Sequence, residues 1–202
     1  MKIISYLANK PSIFIFLRKI IEFNFRGERK VLKHEIQNQN DSLKILDLGC
    51  GTGEFSEVFK NCDYTGIDIN HRYINYAKNK YERNFLLMNA TNLNFPNNNF
   101  DYIVVLGVLH HLDDDKTLKV LNEMIRVIKD DGKIIIMEDV HTGNKIDILG
   151  NLIRRLDEGN YIKTKEDYLN LIGKIVKINE NYRVKAGIST YEVFIILGKD
   201  QN

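Results

Sequence analysis

The chain has 202 residues, enough for one domain with a full core rather than two small ones. Hydrophobic residues make up 44% and charged residues 28%, the balance of an ordinary globular protein. The net charge is only +2 and no block of like charges appears, so a polyanion-binding surface, and with it a nucleic-acid partner, is not expected.

The first apolar stretch is KPSIFIFLRKIIEFNF. Arg18 and Lys19 interrupt it well short of the roughly 20 residues a bilayer span needs, and no cleavage site for a secretory signal follows. It reads as a helix packed on the domain or folded over its pocket. The alternative is a peripheral membrane contact, with Arg18, Lys19 and Arg26 near the headgroups. A second helix over about 27–38 would complete an N-terminal lid or cap at 1–40, ahead of a single domain at 41–202. The two cysteines, Cys50 and Cys62, make neither a disulfide framework nor a metal-ligand spacing, so a cytoplasmic setting without a bound metal is expected.

From residue 44 the pattern alternates. Lys44–Leu48 reads as a buried strand, Glu54–Lys60 as a short helix and Tyr64–Ile69 as a second strand. A helix over His71–Arg83 carries Ile74, Ala77 and Tyr81 on one face. Asn84–Met88 is a third strand, and Phe100–Leu106 has the continuous apolar run of a strand covered on both sides. Asp115–Ile128 is a helix, which Gly132 ends before a fifth strand, KIIIMED. An insertion over about 140–172 follows, with a helix at Lys165–Ile172. Final strands are predicted near 174–179 and 191–198, joined without a helix. The prediction is an α/β fold: a doubly wound, Rossmann-like, seven-stranded sheet, mostly parallel, with one antiparallel strand near the C-terminus.

The chemistry concentrates in ILDLGCGTGEF, Ile45 to Phe55. Gly49, Gly51 and Gly53 allow a backbone to approach a ligand closely, but Glu54 stands where a dinucleotide fingerprint wants its last glycine. A carboxylate there would repel a pyrophosphate, so a phosphate-free ligand fits better. No Gly-Lys-Ser/Thr follows, which removes a Walker-type loop. Asp68 ends the next strand, placed to accept hydrogen bonds from ribose hydroxyls. A nicotinamide-dependent oxidoreductase stays as the alternative.

Over about Lys44 to Asp139 the sequence resembles class I S-adenosylmethionine-dependent methyltransferases. ILDLGCGTGEF is similar to their first motif and TGIDIN to their acidic ribose-binding motif. MNATNLNFPNNNFDYIVVLGVLHHLDD and VLNEMIRVIKDDGKIIIMED are similar to the later ones. The resemblance implies S-adenosylmethionine as cofactor, leaving as S-adenosylhomocysteine. It puts backbone at Gly49, Gly51 and Gly53 beside the methionine and ribose, Asp68 on the ribose hydroxyls and Ile69 on the adenine. Asn89 and Ala90 stand where members often have Asp-Ala. Leu106 would approach through its backbone, and Asp47 would orient the loop or meet the ammonium group.

An oxygen or carbon acceptor usually needs a base, and His110 and His111 follow the fourth strand where the acceptor should lie. The resemblance favours His111. Asp139 and His141 border the same region. No Asn/Asp-Pro-Pro-aromatic motif follows the fourth strand, which argues against the usual amino-methylating enzymes of adenine or cytosine bases, and no cysteine takes a nucleophile position, which disfavours carbon-5 methylation of pyrimidines. The segments outside the shared core are rich in Ile, Leu, Phe and Tyr, which favours a small, apolar or lipid-like acceptor, with Arg154, Arg155 and Lys163 available to an acidic group on it. A binding module that kept the pocket and lost catalysis is the remaining alternative.

Overall fold

The computed structural model describes residues 11–37, 39–140, 161–186 and 189–198. His141, Arg154, Arg155 and the 141–160 part of the expected insertion lie outside the described residues.

Two helices come first, α1 (Pro11–Ile21) and α2 (Arg26–Glu35). Strand β1 (Lys44–Leu48), a 3-10 turn at Ser56–Phe59, β2 (Asp63–Asp68) and α3 (His71–Lys80) follow. Next come β3 (Asn84–Leu87), β4 (Phe100–Leu106) and a 3-10 turn at Leu109–His111. Helix α4 (Asp114–Val127), β5 (Ile128–Asp139), α5 (Lys165–Gly173), β6 (Glu180–Ala186) and β7 (Ser189–Leu197) complete the chain.

The strands form one seven-stranded sheet in the order β3-β2-β1-β4-β5-β7-β6. β1 pairs in parallel with both β2 and β4, while β7 is antiparallel to β5 and to β6, so β7 alone runs against the rest. The predicted α/β architecture is therefore present. The chain winds from β1 outward to β3 and returns to β4 on the other side. That reversal opens a crevice beyond the C-terminal ends of β1 and β4.

Because strand side chains alternate, each strand feeds two cores. Leu46, Leu48, Ile103, Val105, Ile134 and Ile136 face α4 and α5. Ile45, Val104, Ile135 and Val193 face the other way, toward Val31 and Leu32 of α2 and Ile74 and Ala77 of α3. Full burial of each such aliphatic chain contributes about 1.5–3 kcal/mol. Helix starts are set by local polar chemistry. Asp113 accepts from the Lys116 amide at 2.8 Å, and Thr164 and Asp167 form a reciprocal capping box.

Several boundaries differ from the sequence reading. The segment after the glycines makes only one 3-10 turn, so no α-helix dipole points into the loop there. β5 begins at Ile128, directly after α4, and runs through Gly132 with a register shift opposite Phe100 and Tyr102. The strand expected at 174–179 is instead β6, at 180–186. Ile175, Val176 and Ile178 are apolar because they pack on the core from a connecting segment, not because they pair. Helix α2 is one of the layers covering the sheet, and Lys133 of β5 and Tyr182 of β6 both bond Glu35 at its end.

Candidate functional site

A cleft of about 360 Å³ opens at the crevice, bordered by the last residues of three strands: Leu48 of β1, Asp68 of β2 and Leu106 of β4. Of the residues singled out in the sequence, it gathers Gly49, Gly51, Asp68, Ile69, Asn89, Ala90, Leu106 and His111. These come from four separate segments, at the ends of β1, β2, β3 and β4, and the sheet's strand order is what brings them together.

The loop is held from below. The amides of Gly49 and Cys50 both donate to the Ile67 carbonyl, at 2.8 and 2.9 Å. The Gly51 amide donates to Asp68 Oδ2 at 2.9 Å, and the Asn70 amide to Oδ1 at 2.7 Å. Burial raises the Asp68 carboxyl above its usual range, and these backbone donors oppose the rise. Gly51 has φ +53°, and a side chain on it would point into open space. Gly53 serves packing: a methyl group there would come within 2.7 Å of the Phe85 ring, and it does not border the cleft.

At the other end Ile69 is 73% exposed and shares the wall with Ala90, an apolar slot of the kind a flat ring occupies. Asn89 Oδ1 accepts from the Thr91 amide at 3.0 Å and from Thr91 Oγ1 at 2.9 Å. Its oxygen is committed to the local turn.

Asp47 faces away from the cleft, as alternation along β1 requires. It is fully buried on the opposite face and accepts the Tyr64 hydroxyl at 2.7 Å; burial pushes its carboxyl up to about 7. Glu54 is also turned away. Lys19 lies 2.7 Å and Lys80 2.6 Å from its carboxylate, and the Tyr81 hydroxyl donates to it at 2.9 Å. The expected repulsion of a pyrophosphate by Glu54 is therefore not a property of this cleft. The carboxylate is outside it and already neutralised by two lysines.

The two histidines separate. His111 is exposed and borders the cleft. His110 is buried, with Nδ1 2.8 Å from Glu138 Oε2, and does not line it. Glu138 also accepts from the amides of Val108 and Leu109, at 2.8 and 2.7 Å. This buried carboxylate in β5 thus pins the turn that presents His111. The only hint of it in the sequence is an acid ending the apolar run KIIIM. Asp139 is not part of the cleft wall.

Other residues on the wall were not anticipated: Asn70 and Tyr73 from the start of α3, Met88, Val108 and Leu112, and Arg18 from α1. Arg18 and Lys19 turn inward, toward the cleft and Glu54, not outward to headgroups. The outer face of α1 carries Phe16, Ile20 and, just beyond its end, Phe23. No described helix is long and apolar enough to cross a membrane. Among the described residues no group of three or more His, Cys, Asp or Glu could hold a metal ion.

Comparison with known proteins fits this geometry. Residues 46–136 match the model of a methyltransferase domain. An uncharacterized protein of Methanocaldococcus jannaschii is 32% identical over 82% of this chain and 61% of its own length. A tRNA (carboxymethyluridine(34)-5-O)-methyltransferase of Arabidopsis thaliana is 33% identical over 46% of this chain and 23% of its own. The chain thus spans less than two thirds of either relative. The crystal structure of an S-adenosylmethionine-dependent methyltransferase from Methanosarcina mazei superposes with a TM-score of 0.66 at 21% identity, covering 82% of this chain and 95% of that one. That likeness is one of fold.

Proposed function

The chain is a member of the class I S-adenosylmethionine-dependent methyltransferase family, and on that premise we propose that it methylates a small, largely apolar acceptor by in-line displacement. The observation that carries this reading is the cleft itself. A glycine loop whose Gly51 leaves open space, a half-buried acid and an apolar slot all border it. That combination matches a cofactor with an amino-acid tail, a ribose and a flat base.

Gly49 and Gly51 would flank the tail, Asp68 would accept the ribose hydroxyls, and Ile69 and Ala90 would cover the adenine. When bound, S-adenosylmethionine supplies an electrophilic sulfonium methyl group that needs no further activation. The chain's own contribution is then alignment, worth on the order of 7–11 kcal/mol when donor and acceptor are held in line. Met88, Val108 and Leu112 keep the cleft apolar beside His111. His111 would take a proton at a ring nitrogen from an oxygen or carbon acceptor, on a turn fixed by Glu138.

Calorimetric titration with S-adenosylhomocysteine tests the cofactor assignment. Asp68→Ala should weaken binding at least tenfold, since losing a hydrogen bond to a charged group costs about 1.5–3 kcal/mol. Affinity within twofold of wild type would remove the ribose role. The acceptor is found by incubation with methyl-labelled cofactor and cell extract. Label in a solvent-extractable compound supports the small-molecule reading. Label in RNase-sensitive material supports tRNA, the second reading, which the Arabidopsis relative favours. With the acceptor in hand, near-full turnover by His111→Ala would exclude a base role there.

A further inference from the structure

The outer side of α1 carries an apolar stripe. Phe16 and Ile20 stand one turn apart on the helix and Phe23 follows in the turn to α2; they are 62%, 58% and 59% exposed. That turn is strained. Phe23, Asn24 and Phe25 all take left-handed backbone, with φ +47°, +58° and +57°, which bulky side chains rarely adopt. Phe25 is buried, its ring centre 5.3 Å from that of Phe55, and this packing accounts for its place. Its neighbour Phe23 goes to solvent instead. An aromatic ring set outward on a strained turn is a poor choice for folding alone, and it marks a surface with a use.

The exposed charges beside the stripe have one sign. The acids between Pro11 and Gln37 are Glu22, Glu28 and Glu35, and all three are buried. Arg18, Lys19 and Arg29 are engaged by Glu22 and by the carboxylate and carbonyl of Glu54. The arginines and lysines left exposed are Arg26, Lys30 and Lys33. They recur at i, i+4 and i+7 along α2, opposite its buried Glu28, Val31, Leu32 and Glu35. Of the cations expected at headgroups, Arg26 is thus exposed, and Lys30 and Lys33 stand in for Arg18 and Lys19. The apolar and basic stripes meet at the turn, where Phe23 and Arg26 are neighbours in sequence.

Apolar side chains beside cations, with no exposed acid among them, match the surface of an anionic bilayer. Rings enter the headgroup boundary while the cations meet phosphates. RNA would satisfy the cations but set Ile20 and two phenyl rings against a polar backbone. A second copy of the chain would bring the same positive charge to the contact. We propose that α1, the turn and α2 form a docking surface for an anionic membrane, seated by Phe16, Ile20 and Phe23 and held by Arg26, Lys30 and Lys33. Through Arg18, on its inner side, α1 borders the cleft, so docking sets the cleft beside the lipid in which an apolar acceptor dissolves. The docking needs neither cofactor nor acceptor, and it stands or falls apart from the methyl-transfer reading.

The test is flotation of the full chain with lipid vesicles. Phosphatidylcholine mixed with phosphatidylglycerol should hold it roughly tenfold more tightly than phosphatidylcholine alone, and added salt should erode the difference. Phe16→Ser combined with Phe23→Asn, a residue that tolerates left-handed backbone, should weaken vesicle binding by roughly tenfold or more. The melting temperature and the affinity for S-adenosylhomocysteine should not fall. Lys30→Gln with Lys33→Gln should lose roughly tenfold on the anionic vesicles and little on the neutral ones. Wild-type protein that binds neither vesicle, or both equally, would overturn the proposal, as would undiminished binding by the Phe16 and Phe23 variant. Retention by RNA but not by anionic vesicles would overturn it in favour of a nucleic acid. A wild-type dimer that the same variant dissolves, without vesicle binding, would overturn it in favour of a second copy.

Discussion

Glu28 and Glu22 meet beneath the turn from α1 to α2, 3% and 1% exposed, with Arg18 as the cation beside them. Among the described residues neither Glu28 oxygen has a hydrogen-bond partner. Burial, aided by the Glu22 charge, pushes the Glu28 carboxyl from 4.5 up to about 8. Below pH 4.5 folded and unfolded chains both hold this proton. Between that pH and about 8 only the folded chain holds it, so stability falls as pH rises and levels off above. Glu28→Gln, neutral at every pH, should therefore raise the melting temperature more at pH 8 than at pH 5. Equal shifts at both would show that Glu28 is ionised in the fold. At this scale the place of Asp68 at the cleft was legible, because the end of the second strand carries it there. Glu54 was misread, since its lysines come from α1 and α3, distant in sequence.

The glycine loop and its flanking elements separate two kinds of constraint. Gly51 and Gly53 both have positive φ, +53° and +77°, yet a side chain meets open space at the first and the Phe85 ring at the second. Gly53→Ala should lose about 2–5 kcal/mol, about 1–3 through overpacking added to about 1–2 of backbone strain. Gly51→Ala should cost about 1–2 kcal/mol of strain alone, but its methyl group enters the cleft and should weaken S-adenosylhomocysteine by more than tenfold. Urea unfolding and calorimetry on the two variants read these effects apart. Comparable losses of stability and unchanged affinity would refute the division. Apolar periodicity made the strands and the long α4 readable, because their own side chains supply the burial. It did not distinguish β6 from the connecting segment before it, where Ile175, Val176 and Ile178 are half-buried against the core without pairing. Nor did it show that the turn after the loop stays 3-10.

Across the whole molecule, stability and ligand binding are linked through the crevice at the strand-order reversal. A ligand that binds only the folded chain stabilises it by about 2.7 kcal/mol at a hundredfold excess over its Kd. S-adenosylhomocysteine at that excess should shift the urea midpoint accordingly, and NAD at equal concentration should not. A shift with NAD alone would reverse the cofactor assignment. The sequence by itself determined the sheet's character, the glycine loop, the acid ending the second strand and the kind of cofactor, because each is carried by side-chain pattern within a short window. Only the tertiary structure decided which groups face the cleft. It turned Asp47 and Glu54 away, buried His110 against Glu138 and left His111 at the cleft. It also brought Arg18 from the first helix to the same wall. The reason is physical: the face of a strand and the docking of a helix depend on partners far along the chain, and no local window contains them.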